Sequence, residues 1–393
     1  MRTPNTMDQT HAPFLNEDKS PVASVVACVT AIGAMYIYFL MFAGFAFVEF
    51  AQTVVGKGGM RLVLGVLGAG GVGGCVLAAR MFSASRGRWQ LVGGFAGCAA
   101  GALVTLVAHS EAVVLVAALL VGLSTGATAV WLSLCLRPTL HSSRLGMWCG
   151  LGTGLAYALC NQPFLFEGTL RARIITAAVA AGVGMLVAMR MRAGPSKPSS
   201  LPDYGFRAAA GWVAVLFAMV FLDTLVFFII QNSMTLKQLS WETPLVLQGN
   251  AFVHLCAAFV TGLVLDQRWP GVAALVALVL LIASCVVLGL HIEHFPKARM
   301  LYIAAVSIYS TILIHLAARG GRPVFTAVLF AVSGWLASGL ALGIAIAVDA
   351  RQVPPFVVVL ALVVGAAGLF ARVLSLKRAQ EMESERLVQR KAM

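Results

Sequence analysis

Charged residues are scarce in this chain, and acidic residues are the scarcest. Only 11% of its 393 residues are charged, and 15 are acidic. Hydrophobic residues make up 60% of the chain, and the mean hydropathy is +0.90. A soluble fold of this length could not bury so much apolar surface, so the composition excludes a soluble protein.

Motifs for nucleotide, zinc and disulfide chemistry are also missing. The sequence has no Gly-Lys loop for ATP, no His-Glu-x-x-His zinc helix and no Cys-x-x-Cys pair. His254 and Cys256 are two residues apart and Met35 and Met41 are six apart, so neither pair shares a helix face for a soft metal. We therefore expect a protein that is not an enzyme and that holds no cofactor or metal.

What the sequence does have is a series of apolar runs long enough to cross a bilayer. A transmembrane helix needs about 20 mostly apolar residues. Such runs lie at about 23–48, 62–82, 89–109, 112–136, 145–163, 174–191, 208–231, 244–265, 270–290, 300–318, 323–348 and 354–376. The sequence therefore predicts an all-α polytopic membrane protein with twelve transmembrane helices.

A polar linker at 193–207 divides these runs into two sets of six. Its three prolines, serines and basic residues cannot continue a helix. We predict two six-helix bundles, 23–192 and 208–376, between an amino-terminal arm at 1–22 and a carboxyl-terminal tail at 377–393.

Two short patterns recur at nearly equal offsets in the two halves. Gln52 is matched by Gln231, and the Gly-Arg-Trp triplet that ends at Trp89 is matched by the Gln-Arg-Trp triplet that ends at Trp269. Nearly equal offsets favour a duplicated unit, so we interpret the two bundles as a 6+6 pseudo-repeat.

Basic residues set the predicted orientation. Most of the 28 Lys and Arg residues fall in segments that are cytoplasmic when the amino terminus is cytoplasmic. We therefore predict that both termini are cytoplasmic. We expect the protein to lie in a bacterial inner (plasma) membrane and to be a monomer. The net charge of +13 then faces anionic lipid, and we expect no nucleic-acid partner.

Asp223 is the clearest candidate for a functional residue. It lies in an apolar run from Gly211 to Gln231 that otherwise carries no charge. A charge at the membrane centre costs roughly 2.5–3.5 kcal/mol on insertion scales. His254 lies at a similar depth in the next span, and burial penalises the charged forms of both groups, which suits proton uptake and release. The alternative is that Asp223 only accepts hydrogen bonds and locks two helices together.

Other polar and aromatic side chains repeat at helical spacing on the first, seventh, eighth and tenth spans. The stripes are Tyr38, Phe42, Phe45, Glu49 and Gln52; Asp223, Phe227 and Gln231; Asn250 and His254; and Ser307, Ser310, Thr311 and His315. Glu49 is a third candidate for proton coupling, or it faces outer water. For the aromatic residues the alternative is ordinary packing, and for the hydroxyls it is bonding back to their own helix.

A motif of glycine, aspartate and arginine lies at the end of the eighth span, and it resembles a motif of a known family. Gly262-Leu-Val-Leu-Asp266-Gln-Arg268 resembles the Gly-x-x-x-Asp-x-Arg signature that the major facilitator superfamily of secondary transporters carries between helices 8 and 9. The matching loop after the second span keeps Arg86, Gly87 and Arg88 but has no acid. Twelve spans in a 6+6 arrangement are also similar to that family.

The resemblance implies a cytoplasmic gate at these residues and transport by alternating access, with helices 1, 4, 7 and 10 around a central cavity. We expect proton-coupled movement of a small organic solute that is neutral, zwitterionic or moderately hydrophobic. No Arg lies mid-span, which disfavours phosphates and dicarboxylates. Three alternatives stay open: a membrane scaffold or assembly factor without transport, a drug or metabolite exporter, and a soft-metal importer. The family's Gly-Pro antiporter signature is missing from the fifth span.

Overall fold

The computed structural model describes residues 22–140, 144–191, 206–347 and 354–392, and over these ranges it contains helices and no strands. The predicted arm at 1–22 and linker at 193–207 lie outside the described residues, apart from the last residues of each. The all-α prediction is confirmed.

The described part of the first half, residues 22–140 and 144–191, contains seven helices and one π-helical segment. They are α1 (Val22–Ile37), the π segment Tyr38–Ala46, α2 (Phe47–Met81), α3 (Gly87–Thr105), α4 (Glu111–Leu140), α5 (Leu145–Cys160), α6 (Pro163–Phe166) and α7 (Leu170–Ala188).

Over residues 206–347 and 354–392, the second half has eight helices, a second π segment and a short 3-10 turn. They are α8 (Phe206–Asn232), α9 (Met234–Trp241), α10 (Pro244–Asp266), α11 (Pro270–Leu290), the turn Ile292–His294, α12 (Phe295–Gly320), α13 (Pro323–Val328), the π segment Leu329–Leu336, α14 (Ala337–Ala347) and α15 (Pro354–Ala392). Most of the predicted tail therefore continues α15 as helix.

Nine helical stretches within the described ranges are long and apolar enough to cross a membrane. The first of them, Val22–Met81, is interrupted at Gly56, whose φ of 65° and ψ of 180° only glycine adopts readily. Two of the predicted spans correspond to α3 and to the 16-residue α5, which are not among the nine. The protein is an integral membrane protein, and the number twelve stays a prediction.

Glycines allow α2 and α4 to pack backbone against backbone. A Cβ on Gly74 would lie 2.2 Å from the Leu123 oxygen, and one on Gly122 would lie 2.3 Å from the Leu67 oxygen. Such close approach is the usual role of small residues between membrane helices. The same stretch of α4 reads Gly-x-Ser-x-Gly, the pattern of a hydrolase nucleophile, but Ser124 lies inside the helix and donates to the Leu120 oxygen at 2.7 Å. It is therefore a packing element.

The two halves meet along α5 and α10, and along α2 with α13 and the second π segment. Gly146 and Gly262 face each other, and a Cβ on either would lie 2.4 Å from the other's carbonyl oxygen. On the opposite side, the Trp335 indole covers Gly71 so closely that a Cβ there would lie 2.1 Å from the ring. Helix α12 contacts α4 and α5 between these two seams.

Candidate functional site

A cavity of about 680 Å³ lies between the two halves. The first π segment, α2, α5, α6 and α7 contribute walls from one half, and α8, α9, α10 and α12 contribute walls from the other. The cavity reaches the surface at exposed Glu49, Glu167, Lys237 and Glu242. These residues belong to the ends of helices that the charge pattern predicts to be external.

The π segment decides which side chains of the first span line this cavity. Phe39 and Phe45 are in the wall, whereas Tyr38 and Phe42 are almost completely buried in the core and Gln52 is exposed outside the lining. In a π-helix the backbone hydrogen bonds join residues five apart instead of four. Side chains that would share one face of an α-helix therefore point in different directions within this segment. The structure therefore places only Phe45 and Glu49 of the first predicted stripe at the cavity.

Asp223 lies in the cavity wall and is held by two phenols of α12. The Tyr302 hydroxyl donates to Oδ1 at 2.5 Å, and the Tyr309 hydroxyl donates to Oδ2. Because the two tyrosines are seven residues apart, they share one face of α12. The carboxylate is thus both reachable from the cavity and a connection between α8 and α12, so both functions considered for Asp223 have a geometric basis.

His254 lines the same cavity but has other partners. Its Nδ1 is 2.6 Å from the Ser307 hydroxyl oxygen, and its ring stacks on Tyr157 with 4.6 Å between centroids. The Tyr157 hydroxyl lies 3.0 Å from the hydroxyl of Ser310. Since Tyr157 belongs to α5 and the other three residues to α10 and α12, this group joins the two halves at the cavity floor. It shares the cavity with Asp223, although the two residues have different hydrogen-bond partners.

The cavity mouth carries an ion pair and an aromatic chain. Arg173 of α7 contacts Glu49 at 2.6 Å. Phe45 meets Phe227 edge to face with 5.1 Å between centroids, and Phe227 in turn lies 5.9 Å from Trp241. Trp241 also contacts Phe166 of the first half at 6.0 Å. The aromatic chain therefore crosses the mouth from one half to the other.

The remaining predicted cavity residues divide into lining and supporting groups. Gln231 is in the wall, and its Nε2 is buried without a hydrogen-bond partner. Asn250 lies behind the wall and donates to the Ser240 oxygen of α9 at 3.1 Å. Thr311 bonds back to the Ser307 oxygen of its own helix at 2.9 Å, which is the alternative considered for the hydroxyls. Only Gln231 of these residues is placed to touch a ligand.

The second copy of the predicted gate motif bridges the two halves at the far end from the cavity mouth. The Asp266 carboxylate accepts from the backbone nitrogens of Gly146 and Met147 at 2.6 and 2.9 Å, at the start of α5. A carboxylate at a helix N-terminus satisfies free N–H groups and opposes the helix dipole. Gly262 completes the contact through its close approach to Gly146.

Arg268, the last residue of this motif, lies just beyond the end of α10 and is exposed. Its φ of 65° is left-handed. Its backbone nitrogen donates to the Leu265 oxygen and that of Trp269 donates to the Val264 oxygen, which is the Schellman pattern with arginine where glycine is usual.

The first copy stays within one half. Arg86 precedes α3, Gly87 is buried at the helix start, and Arg88 donates to the Met189 oxygen at the end of α7 at 3.4 Å. The loop without an acid therefore contacts its own half, whereas the loop with Asp266 contacts the opposite one.

Several site residues could not be singled out from the sequence. Tyr302 and Tyr309 were available as a seven-residue repeat on a predicted span, but their partner became visible only once α8 and α12 were packed together. Trp241 and Lys237 lie on the short α9, between predicted spans. Among the described residues no group of three or more metal-ligating side chains is clustered, and Cys256 is exposed while His254 is buried.

No protein-family model and no curated protein matches the sequence, but solved structures do match the fold. The E. coli fucose:proton symporter FucP superimposes with a TM-score of 0.63 at 14% identity, over 90% of this chain and 99% of FucP. FucP in its outward conformation gives 0.63 at 15% identity over 89% and 98% of the chains. The human organic anion transporter MFSD10 (TETRAN) gives 0.61 at 15% identity over 92% and 100%.

The chain has the major facilitator superfamily fold. The predicted resemblance is therefore confirmed at the level of the fold. These neighbours of the major facilitator fold are transporters and not enzymes, in agreement with the expectation that this chain is not an enzyme.

Proposed function

We propose that this protein is a secondary transporter that moves a small organic solute by alternating access and couples the movement to protons at Asp223. The observation that carries the proposal is the position of Asp223, a membrane-embedded carboxylate in the wall of a cavity between two halves. Solute sites of such folds lie at this interface, near the bilayer midplane. An open cavity with polar groups also favours transport over a scaffold, which would fill this space with side chains.

Proton coupling follows from how Asp223 is held. Both carboxylate oxygens accept a phenol hydrogen, an arrangement that suits the ionised form. A proton on either oxygen adds a donor at that oxygen, where it competes with the phenol hydrogen already directed there. Protonation therefore alters the contact of α8 with α12, both of which line the cavity, and this links proton binding to the shape of the site.

Alternating access requires that one end be closed while the other is open. The Asp266 contact and the Gly146 and Gly262 seam close the end opposite to the mouth. With the predicted orientation, the cavity is open to the outside of a bacterial inner membrane. The similarity to FucP in an outward conformation supports this assignment.

The proposal is tested in two steps on the purified full-length protein. A thermal-shift screen against metabolites and drugs first identifies a solute that stabilises the folded state. Uptake of that solute into proteoliposomes is then measured with and without an imposed pH gradient, for the native protein and for Asp223→Asn. We expect the variant to lose the dependence on the gradient. Glu111→Gln, which removes an exposed acid outside the cavity, serves as the control and should keep it. An Asp223→Asn protein with native gradient dependence refutes the coupling role.

A further inference from the structure

We infer that the solute is a monovalent organic cation with an aromatic or apolar body, and that its positive charge sits against the Asp223 carboxylate. This inference rests on the proposed function, since it names the substrate class of the same cavity. It differs from the expectation drawn from the sequence, which was a neutral, zwitterionic or moderately hydrophobic solute, because it gives the solute one positive charge.

The charges in the cavity wall favour a cation. Among the described residues, four acidic side chains and two basic ones line the cavity: Glu49, Glu167, Asp223 and Glu242, against Arg173 and Lys237. Arg173 is already neutralised by Glu49 at 2.6 Å. An anion that enters would therefore meet an excess of carboxylates, whereas a cation would be attracted through the mouth.

Asp223 has no ion pair with a basic side chain in the part of the chain that the structure describes. Glu49, by contrast, is paired with Arg173. The partners of Asp223 are two phenols, which donate hydrogen bonds but bring no positive charge. A carboxylate at this depth is stabilised by a counter-ion, and the cavity leaves room for one beside it. Either a proton or a cationic solute can fill that role.

Aromatic side chains provide the rest of the wall. Eight of the lining residues are aromatic: Phe39, Phe45, Tyr157, Phe166, Phe227, Trp241, Tyr302 and Tyr309. The negative faces of aromatic rings attract cations, and cages of such rings recognise quaternary ammonium ligands. Their edges and faces also bury an apolar body.

A proton and the cationic solute would compete for the Asp223 carboxylate, and this competition would couple their movements. Asp223 holds either a proton or the cation, so binding of the cation releases a proton when the carboxyl is protonated. Transport would then exchange one cation for one proton. The titratable groups that face Asp223 are Tyr302 and Tyr309 of α12, Tyr157 of α5 and Cys285 of α11, and His254 of α10 lies in the same cavity.

Tetraphenylphosphonium and tetraphenylborate test the inference as a matched pair, because they have the same shape and opposite charge and neither titrates. Equilibrium dialysis of the purified protein measures saturable binding of each ion between pH 5 and 9. We expect binding of the phosphonium that weakens as the pH falls. Asp223→Asn should reduce its affinity at least about tenfold, and Asp223→Glu should restore it. Tetraphenylborate should show no binding that depends on Asp223. Apparent melting temperatures confirm that each variant is folded.

The outcomes separate this inference from the proposed function. If phosphonium binds equally well to Asp223→Asn, or does not bind to the folded native protein, the substrate class is wrong. A neutral or anionic solute with Asp223-dependent uptake then leaves the transporter proposal standing. If phosphonium binds at Asp223 but no solute is taken up into proteoliposomes, the cation site stands and the transporter proposal fails.

Discussion

The Asp266 contact should hold the closed end of the molecule shut, and its strength can be worked from the geometry. Its two oxygens accept from the Gly146 and Met147 nitrogens at 2.6 and 2.9 Å. A hydrogen bond to a charged group contributes about 1.5–3 kcal/mol. A carboxylate at a helix N-terminus adds about 0.3–1 kcal/mol. Asp266→Asn keeps one neutral acceptor and loses the charge, so we expect the contact to weaken by about 2 kcal/mol, which is roughly a 30-fold shift toward the open end.

Double electron-electron resonance measures this shift directly. Labels at Ser85→Cys and Gly271→Cys report on the two halves near that end, and exposed Cys256 is replaced by Ser to prevent stray labelling. A Cβ at Gly271 meets no atom within 4 Å, so the label is tolerated. In Asp266→Asn we expect a longer-distance population to grow at the expense of the native one.

The control substitution removes an exposed acid away from this contact. Glu293 lies on the turn before α12, where its side chain is 62% exposed and its Oε1 is 3.6 Å from Nδ1 of His291. The control variant is Glu293→Gln. It should leave the distance distribution unchanged. If Asp266→Asn also leaves it unchanged, the contact does not close this end and the reasoning is refuted.

Three further substitutions test the packing of the second half. Gly262→Ala should lower the apparent melting temperature, because its Cβ would lie 2.4 Å from a backbone oxygen across the interface and overpacking costs about 1–3 kcal/mol. Arg268→Gly should raise stability by about 1 kcal/mol, because it removes a Cβ from a left-handed residue with a φ of 65°. Arg299→Met should speed hydrogen exchange in α9, because Arg299 donates to the Leu239 oxygen near the end of that helix at 2.7 Å.

Each of these substitutions has a matched control on the same element. Gly249→Ala places a Cβ no closer than 3.6 Å to a neighbour, so a melting temperature as low as that of Gly262→Ala would contradict the packing argument. Arg268→Ala keeps the Cβ and should not raise stability. If it raises stability as much as Arg268→Gly does, the gain comes from removing the charge and not from relieving the backbone. Lys297→Met removes an exposed base from α12, and exchange in α9 as fast as in Arg299→Met would exclude the proposed tether.

The sequence predicted most of this architecture because long apolar runs have one stable form in a bilayer. Hydrocarbon leaves no partner for free backbone groups, so such runs become helices whatever their neighbours are. Asp223 could be singled out for a related reason, since a charge in such a run is costly wherever the helix packs. The prediction that it marks the functional cavity stays a prediction, although the structure places it in the cavity wall.

Features that depend on tertiary packing or on local helix type could not be predicted. Tyr38 and Phe42 were assigned to the cavity at α-helical spacing, and the π segment turns them into the core. The phenols that hold Asp223 come from α12, 79 and 86 residues away along the chain, so no local pattern connects them. In the same way, the sequence motif marked Asp266 but not the backbone N–H groups at the start of α5 that donate to it.

The contacts of Ser310 across the two halves bear on where the halves would pivot in the proposed motion. The Ser310 carbonyl oxygen accepts from Tyr36 at 2.9 Å, and its hydroxyl lies 3.0 Å from that of Tyr157, so one residue of the second half holds two tyrosines of the first. When two bodies rock, displacement grows with distance from the fulcrum. In the proposed motion, contacts far from the fulcrum, such as that of Asp266, would break in each transport cycle. Contacts at the fulcrum would only change their angle. In the proposed motion we expect Ser310 to lie at the fulcrum, where its hydroxyl can rotate without losing Tyr157.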